Sequence, residues 1–100
     1  MKPFDAFEID DPGGAVGVVV LQGAYYLDLP TVLVAPLYRL DSGLKYDIIN
    51  PEVSFYGDRL IVKLDRMAAL PADTLVRRIG SILAYADEIK NALDRLIGGY

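Results

Sequence analysis

The sequence predicts a strand-dominated α+β fold in a single domain over residues 1–100, and three observations predict it. Short β-branched and aromatic runs alternate with turn signals along most of the chain. One amphipathic stripe with a helical period occupies the end of the chain. Hydrophobic residues make up 53% of the 100 residues, which is enough for one modest core.

Three strands are predicted in the N-terminal half. Residues 4–9 form the first, and the cluster Asp-Asp-Pro-Gly-Gly at 10–14 is typical of a turn. Residues 16–22 form the second, a nearly continuous apolar run that predicts burial on both faces or at a dimer seam. Residues 31–38 form the third, where Pro36 indicates an edge strand or a bulge.

A hairpin is predicted in the C-terminal half, after a polar connection over residues 40–51. Its strands are residues 53–56 and 59–64, and the Gly-Asp pair at 57–58 forms the turn between them. Residues 67–70 then form a short extended piece, which a proline closes.

The last element is a predicted helix that begins at about Leu83. Residues 76–82 fit either a strand or the first turns of this helix, and Gly80 favours the strand because glycine weakens a helix. Gly98 and Gly99 end the helix, as glycine commonly does. The apolar stripe of the helix consists of Leu83, Ala86, Ile89 or Lys90, Leu93, Leu96 and Ile97.

Composition disfavours several classes of function. The formal net charge is -4, with 10 basic and 14 acidic residues, whereas a nucleic-acid surface needs an excess of positive charge. The chain has no Cys and no His, which removes thiol nucleophiles, histidine bases and the usual zinc ligands. We therefore expect no metal or cofactor. The lack of a signal-like N-terminus and of a long apolar stretch favours a cytoplasmic protein without a membrane segment.

Five short segments stand out along the chain, in order and at nearly constant spacing. They are residues 18–22 (Val-Val-Val-Leu-Gln), 34–37 (Val-Ala-Pro-Leu), 50–53 (Asn-Pro-Glu-Val), 67–71 (Met-Ala-Ala-Leu-Pro) and 87–93 (Asp-Glu-Ile-Lys-Asn-Ala-Leu). Together they resemble the CcdB family, and the similarity is nearly gapless from Gln22 to Tyr100.

The resemblance implies a fold and a function. The fold is a small SH3-like antiparallel barrel with a C-terminal helix, which MazF and Kid toxins share. CcdB-like proteins are homodimeric toxins of type II toxin–antitoxin systems, and they bind the DNA gyrase A subunit and trap the cleaved complex. A CcdA-like antitoxin neutralises the toxin, and the pair represses its own operon through the DNA-binding fold of the antitoxin. On this interpretation the chain is not an enzyme.

The resemblance also places the contacts with gyrase. They lie at the chain end, Gly98, Gly99 and Tyr100, and on the loop after the strand that ends in glutamine, at Tyr25 and Tyr26. Two glycines let the backbone approach a partner closely, and a tyrosine is a rigid aromatic anchor of the kind found at binding hot spots.

Arg77 and Arg78 are weak candidates for antitoxin binding. The simplest interpretation is a solvated pair of side chains, and the functional one is a clamp for an acidic antitoxin tail.

Two other functions stay open. The chain could be an antitoxin-binding module whose target has diverged or been lost. It could also be a MazF-like endoribonuclease, whose chemistry needs a general acid, a general base and a cation for the phosphate. Without histidine, Asp, Glu, Arg or Tyr would supply the acid and the base, and the chain lacks an Arg-Gly-Asp or Arg-Gly-Glu cluster near its start.

Overall fold

A curled antiparallel sheet and one C-terminal helix make up the computed structural model, which describes residues 1–10, 13–22, 30–40 and 49–98. The strands within these ranges are β1 (Asp5–Phe7), β2 (Gly17–Val20), β3 (Thr31–Arg39), β4 (Glu52–Phe55), β5 (Asp58–Val62), β6 (Ala68–Pro71) and β7 (Arg78–Ser81), and the helix is α1 (Ala86–Gly98). Short 3-10 turns span Leu64–Arg66, Ala72–Thr74 and Leu83–Tyr85. The strand-dominated α+β prediction is confirmed.

The sheet is organised around β3. The strand order is β4-β5-β3-β2-β1-β7, and β6 pairs with β3 beside this path. The first half of β3 pairs with β6 and its last three residues pair with β5, while β2 covers its other edge. Every residue of β2 is buried, which confirms the prediction of burial on both faces.

Pro36 lies inside this central strand, so the edge position predicted for it is wrong. It stands where β3 changes partner, after Val34 opposite β6 and before Leu37 opposite β5. Its carbonyl accepts a hydrogen bond from the Lys63 N–H at 3.0 Å, at the junction between the two partners. The missing N–H of proline therefore falls in a gap between two ladders, where it interrupts neither.

The predicted hairpin is confirmed, with its turn one residue earlier than the sequence indicates. Phe55 pairs with Asp58, so Tyr56 and Gly57 form the two-residue turn. Both have positive φ, 49° and 86°, which is the geometry of the type I′ turn that suits the twist of two antiparallel strands.

Side chains close the two ends of the curled sheet against each other. β7 is confirmed as a strand, and a Cβ placed on Gly80 would lie 2.7 Å from both the Phe55 Cζ and the Tyr56 Cε2 atoms. In the 3-10 turn that follows β7, the Tyr85 hydroxyl oxygen accepts a hydrogen bond from the Ser54 N–H of β4 at 3.0 Å. The sheet therefore forms a half-barrel. The rings of Phe55 and Tyr56 and the hydroxyl of Tyr85 connect its two ends.

The helix α1 covers one open end of the half-barrel. It begins at Ala86, later than the predicted Leu83, because a 3-10 turn comes first. Ile89 and Ala92 are its buried residues and belong to the main core cluster. Ala92 was not predicted on the apolar stripe, and Ile97, which was, is 70% exposed. The helix therefore buries only part of its apolar stripe.

Candidate functional site

The far end of α1 is the part of the predicted gyrase contact that the structure describes. Gly98 is exposed and is the last residue of the helix, and Ile97 beside it is 70% exposed. Gly99 and Tyr100 lie outside the described residues, as do Tyr25 and Tyr26, so their roles stay predictions.

The helix holds this end in a fixed position. Ile89 and Ala92 are buried in the core, at 1% and 3% exposure, and Leu93 and Leu96 pack against it from the side. Acidic residues in the first turn and Arg95 in the last turn oppose the helix dipole favourably. A helix of 13 residues fixed in this way carries its last residues as a stiff projection.

The two candidate arginines, Arg77 and Arg78, have different surroundings. The Arg78 Nε lies 3.2 Å from the Asp5 Oδ1, and the Asp5 side chain is only 7% exposed. The other carboxylate oxygen of Asp5 accepts a hydrogen bond from the Lys2 N–H at 2.9 Å. Arg78 therefore ties β7 to β1. Arg77 instead forms an exposed ion pair with Glu8, at 3.2 Å, and lies beside a groove.

This groove has a volume of about 820 Å³. We call it the β1–β6 groove, because the residues that follow β1 and those at the end of β6 form its two sides. Ile9 and Leu70 form its apolar floor and pack on the second core cluster, which contains Phe7 and Leu75. Sequence patterns missed this site because its sides are distant in the chain.

A smaller cleft of about 420 Å³ lies at the hairpin turn. We call it the hairpin cleft, and Arg39, Asp58 and Arg59 contribute its charged groups. The Arg39 and Asp58 side chains are paired at 3.6 Å, and Arg59 is paired with Glu52 at 3.1 Å. An exposed guanidinium group can bind a phosphate, and a carboxylate beside it can accept a proton.

The described ranges contain neither a metal-binding cluster nor a membrane-spanning helix. In those ranges no group of three or more acidic side chains is placed to hold a metal ion. No described helix combines the length and the hydrophobicity that crossing a bilayer needs.

Solved structures with a similar fold include a toxin and an endoribonuclease. The chain is similar to the Mycobacterium tuberculosis toxin MazF-mt6, with 20% identity, 97% coverage of each chain and a TM-score of 0.74. It is also similar to an endoribonuclease from a mycobacterial species, solved in complex with its cognate antitoxin. That match has 14% identity, covers 98% of this chain and 95% of the other, and has a TM-score of 0.79. No curated protein sequence matches the chain.

The endoribonuclease contradicts one prediction from the sequence. The prediction that the chain is not an enzyme is wrong, because this same fold belongs to a protein named as an endoribonuclease. The prediction depended on the resemblance and on the absence of histidine, but carboxylates and tyrosine hydroxyls can also serve as acids and bases.

The family is shown by the sequence itself, over almost its whole length. The model of the family described as CcdB protein matches residues 4–99, which include every strand and the whole of α1. The half-barrel and the trailing helix agree with the fold that this resemblance implies. The chain therefore belongs to the CcdB family.

Proposed function

We propose that this chain is the toxin of a type II toxin–antitoxin system, which binds the DNA gyrase A subunit and traps the cleaved complex. The observation that carries the proposal is the family match over residues 4–99. The similarity to a toxin and to a protein solved with its cognate antitoxin supports it. Gyrase works in the cytoplasm, so a cytoplasmic location follows from the proposal.

The end of α1 suits the proposed contact with gyrase. Ile97 and Gly98 project from a helix that Ile89 and Ala92 fix to the core. Gly99 and Tyr100, which follow in the sequence, would supply further contacts with gyrase. Such a tip would act by binding one conformation of its target more tightly than the others, which shifts the population toward the cleaved state.

We also propose that the toxin is a homodimer. Leu83 and Ile97 are large apolar side chains before and near the end of α1, and they are 62% and 70% exposed. Burying both in a twofold interface would remove apolar surface from water and would place two helix ends close together.

Purified gyrase tests the proposal directly. Excess toxin should inhibit supercoiling and accumulate cleaved DNA, and deletion of Tyr100 should abolish both effects. Glu88→Ala, a change of an exposed residue at the opposite end of the same helix, is the matched control and should leave poisoning intact. Gyrase that stays fully active, with no cleaved product, would rule out this target.

An endoribonuclease is the second candidate, and the structural similarity to such an enzyme favours it. The hairpin cleft is the best place for the chemistry, because Asp58 could accept the proton of a ribose hydroxyl while Arg39 and Arg59 bind the phosphate. Incubation of defined RNA with the wild type and with Asp58→Asn tests it. Cleavage by the wild type that Asp58→Asn abolishes would support this candidate.

An antitoxin-binding module without a target is the third candidate. Antitoxin binding would then persist although expression of the full-length chain causes no growth arrest. Arg77 and Arg78 stay proposed antitoxin contacts, and DNA would be contacted through the antitoxin. Loss of toxicity on deletion of Tyr100, with antitoxin binding intact, would instead favour the gyrase target.

A further inference from the structure

The ring of Tyr56, at the tip of the hairpin formed by β4 and β5, is held in place and yet is open to solvent. Its centroid lies 4.6 Å from the centroid of the Phe55 ring, at an interplanar angle of 79°. The Tyr56 Cε2 atom also lies against Gly80, where a Cβ would be only 2.7 Å away. Tyr56 is nevertheless 81% exposed. A fixed aromatic ring with an open surface can stack with another ring.

The backbone of Tyr56 is strained. Its φ is 49°, in the left-handed region, and the first central position of a type I′ turn favours Asn, Asp or Gly. A tyrosine there costs stability, because its Cβ crowds the backbone in this conformation. Its ring is too exposed for burial to offset that cost. A strained residue that adds little to the core is typical of a functional position.

The hairpin cleft begins directly beside this ring, because Gly57 and Asp58 follow Tyr56 in the chain and line the cleft. Among the described residues of the lining, Arg39 and Arg59 are positive and Asp58 is negative. The local charge is therefore positive, although the chain has a net charge of -4. The ion pairs of both arginines are exposed, so each contributes little and can exchange for a ligand. A guanidinium group suits a phosphate, because its planar donors match the phosphate oxygens.

From these features we infer that the end of the hairpin binds a nucleotide, whose base stacks on the ring of Tyr56. Arg39 and Arg59 bind its phosphate, and Asp58 accepts a hydrogen bond from a ribose hydroxyl. A cleft of about 420 Å³ has the size of a small-molecule site. The nucleotide is either free or the end of a single-stranded RNA, since both present the same base, ribose and phosphate. The inference rests on the phosphate site of the endoribonuclease candidate and adds a base site to it.

Binding of adenosine 5′-monophosphate (AMP) to the full chain tests the base site without any measure of cleavage or toxicity. Ribose 5-phosphate, which lacks only the base, is the matched control ligand. In ¹⁵N-labelled protein we expect the amide signals of residues 56–59 to shift. AMP should bind about fivefold or more tightly than ribose 5-phosphate, as stacking of a base on an aromatic ring allows. Equal affinities, or shifts confined to other parts of the chain, would overturn the inference.

Substitution of Tyr56 separates a binding role from a structural one. Tyr56→Phe keeps the ring and should keep the preference for AMP. Tyr56→Asn removes the ring but suits the turn, so the affinity for AMP should fall to that for ribose 5-phosphate. The urea midpoint of Tyr56→Asn should stay the same or rise, because the backbone strain is relieved. A Tyr56→Asn protein that still prefers AMP, or whose midpoint falls, would contradict a stacking role.

Arg59→Ala tests the phosphate contact separately. It should weaken AMP and ribose 5-phosphate by the same factor, because it removes a phosphate contact and leaves the stacking ring. The Arg59 side chain is 74% exposed, so the fold should stay intact. A loss of AMP binding alone would mean that Arg59 contacts the base, and the proposed arrangement would be wrong.

Two further experiments identify the source of the nucleotide and keep this inference separate from the candidate function on which it rests. A single-stranded trinucleotide of adenylate that binds more tightly than AMP would make RNA the ligand, and equal or weaker binding would make it a free nucleotide. RNA that stays intact with the wild-type protein would remove the endoribonuclease candidate. A measured preference for AMP over ribose 5-phosphate, lost in Tyr56→Asn, would still establish the base site.

Discussion

Gly80 in β7 lies directly against the ring of Phe55 in β4, so closely that a Cβ at this glycine would be 2.7 Å from the ring's Cζ atom. The two residues belong to strands at opposite ends of the sheet order, and no ladder joins those strands. The absence of a side chain at Gly80 therefore lets the sheet curl far enough to bring its ends together.

Gly80→Ala should destabilise the fold by about 1–3 kcal/mol, because the methyl group must push back two aromatic rings. Urea unfolding followed by far-UV circular dichroism should show a lower midpoint with little change in slope. Phe55→Leu in the same chain provides room, and the double variant should lose less stability than the sum of the two single variants. Simple additivity would mean that the ring is not the obstacle.

Tyr85→Phe should cost about 1 kcal/mol of unfolding free energy, because the Ser54 N–H loses its acceptor while the ring stays. Tyr56→Phe is the matched control. The Tyr56 side chain is 81% exposed and its hydroxyl forms no hydrogen bond with the described residues, so this change should be close to neutral. Equal effects of the two variants would contradict a role for the Tyr85 hydroxyl in closing the barrel.

Asp5→Ala should destabilise the protein by about 1–3 kcal/mol, because it removes the acceptor of two contacts from a nearly buried position. Glu8→Ala removes the neighbouring ion pair with Arg77, whose side chains are 51% and 78% exposed. Exposed pairs contribute little, so we expect less than about 0.5 kcal/mol there. Thermal unfolding of both variants at one pH measures the contrast, and a larger loss for Glu8→Ala would refute it.

Ile97→Asp should weaken the proposed dimer by about tenfold or more, because it places a charge in an apolar interface. Sedimentation equilibrium over a range of concentrations measures the change. Val76→Asp places the same charge on another exposed apolar side chain outside the helix, and it should leave the dimer unchanged. A dimer that survives Ile97→Asp would place the interface elsewhere.

Sequence patterns correctly predicted the elements that depend on residues close together in the chain. The hairpin strands around Gly57 alternate and carry turn residues, and the apolar period of α1 is clear. Pro36 could not be interpreted correctly from the sequence, because its position depends on β6 and β5 sharing one edge of β3. Ile97 follows the helical period, but the period does not specify which part of the stripe the helix packs against the core.

The candidate sites were less predictable for the same reason. Arg77 and Arg78 are adjacent in sequence and alike in charge, yet one pairs with a buried carboxylate and the other lies on a groove rim. The β1–β6 groove and the hairpin cleft each combine residues from distant parts of the chain. The pairing register of the strands brings these residues together, and long-range packing determines that register.

The nine-residue strand β3 pairs with three strands, β2, β5 and β6, and its pairing connects distant parts of the sheet. Its first half supports the cluster below the β1–β6 groove, and its second half reaches the hairpin and the core under the helix. Neither half can lose its hydrogen bonds without disturbing the other. Occupation of one surface by a partner would therefore slow the opening of the whole sheet, and the amides of β3 would exchange with solvent last.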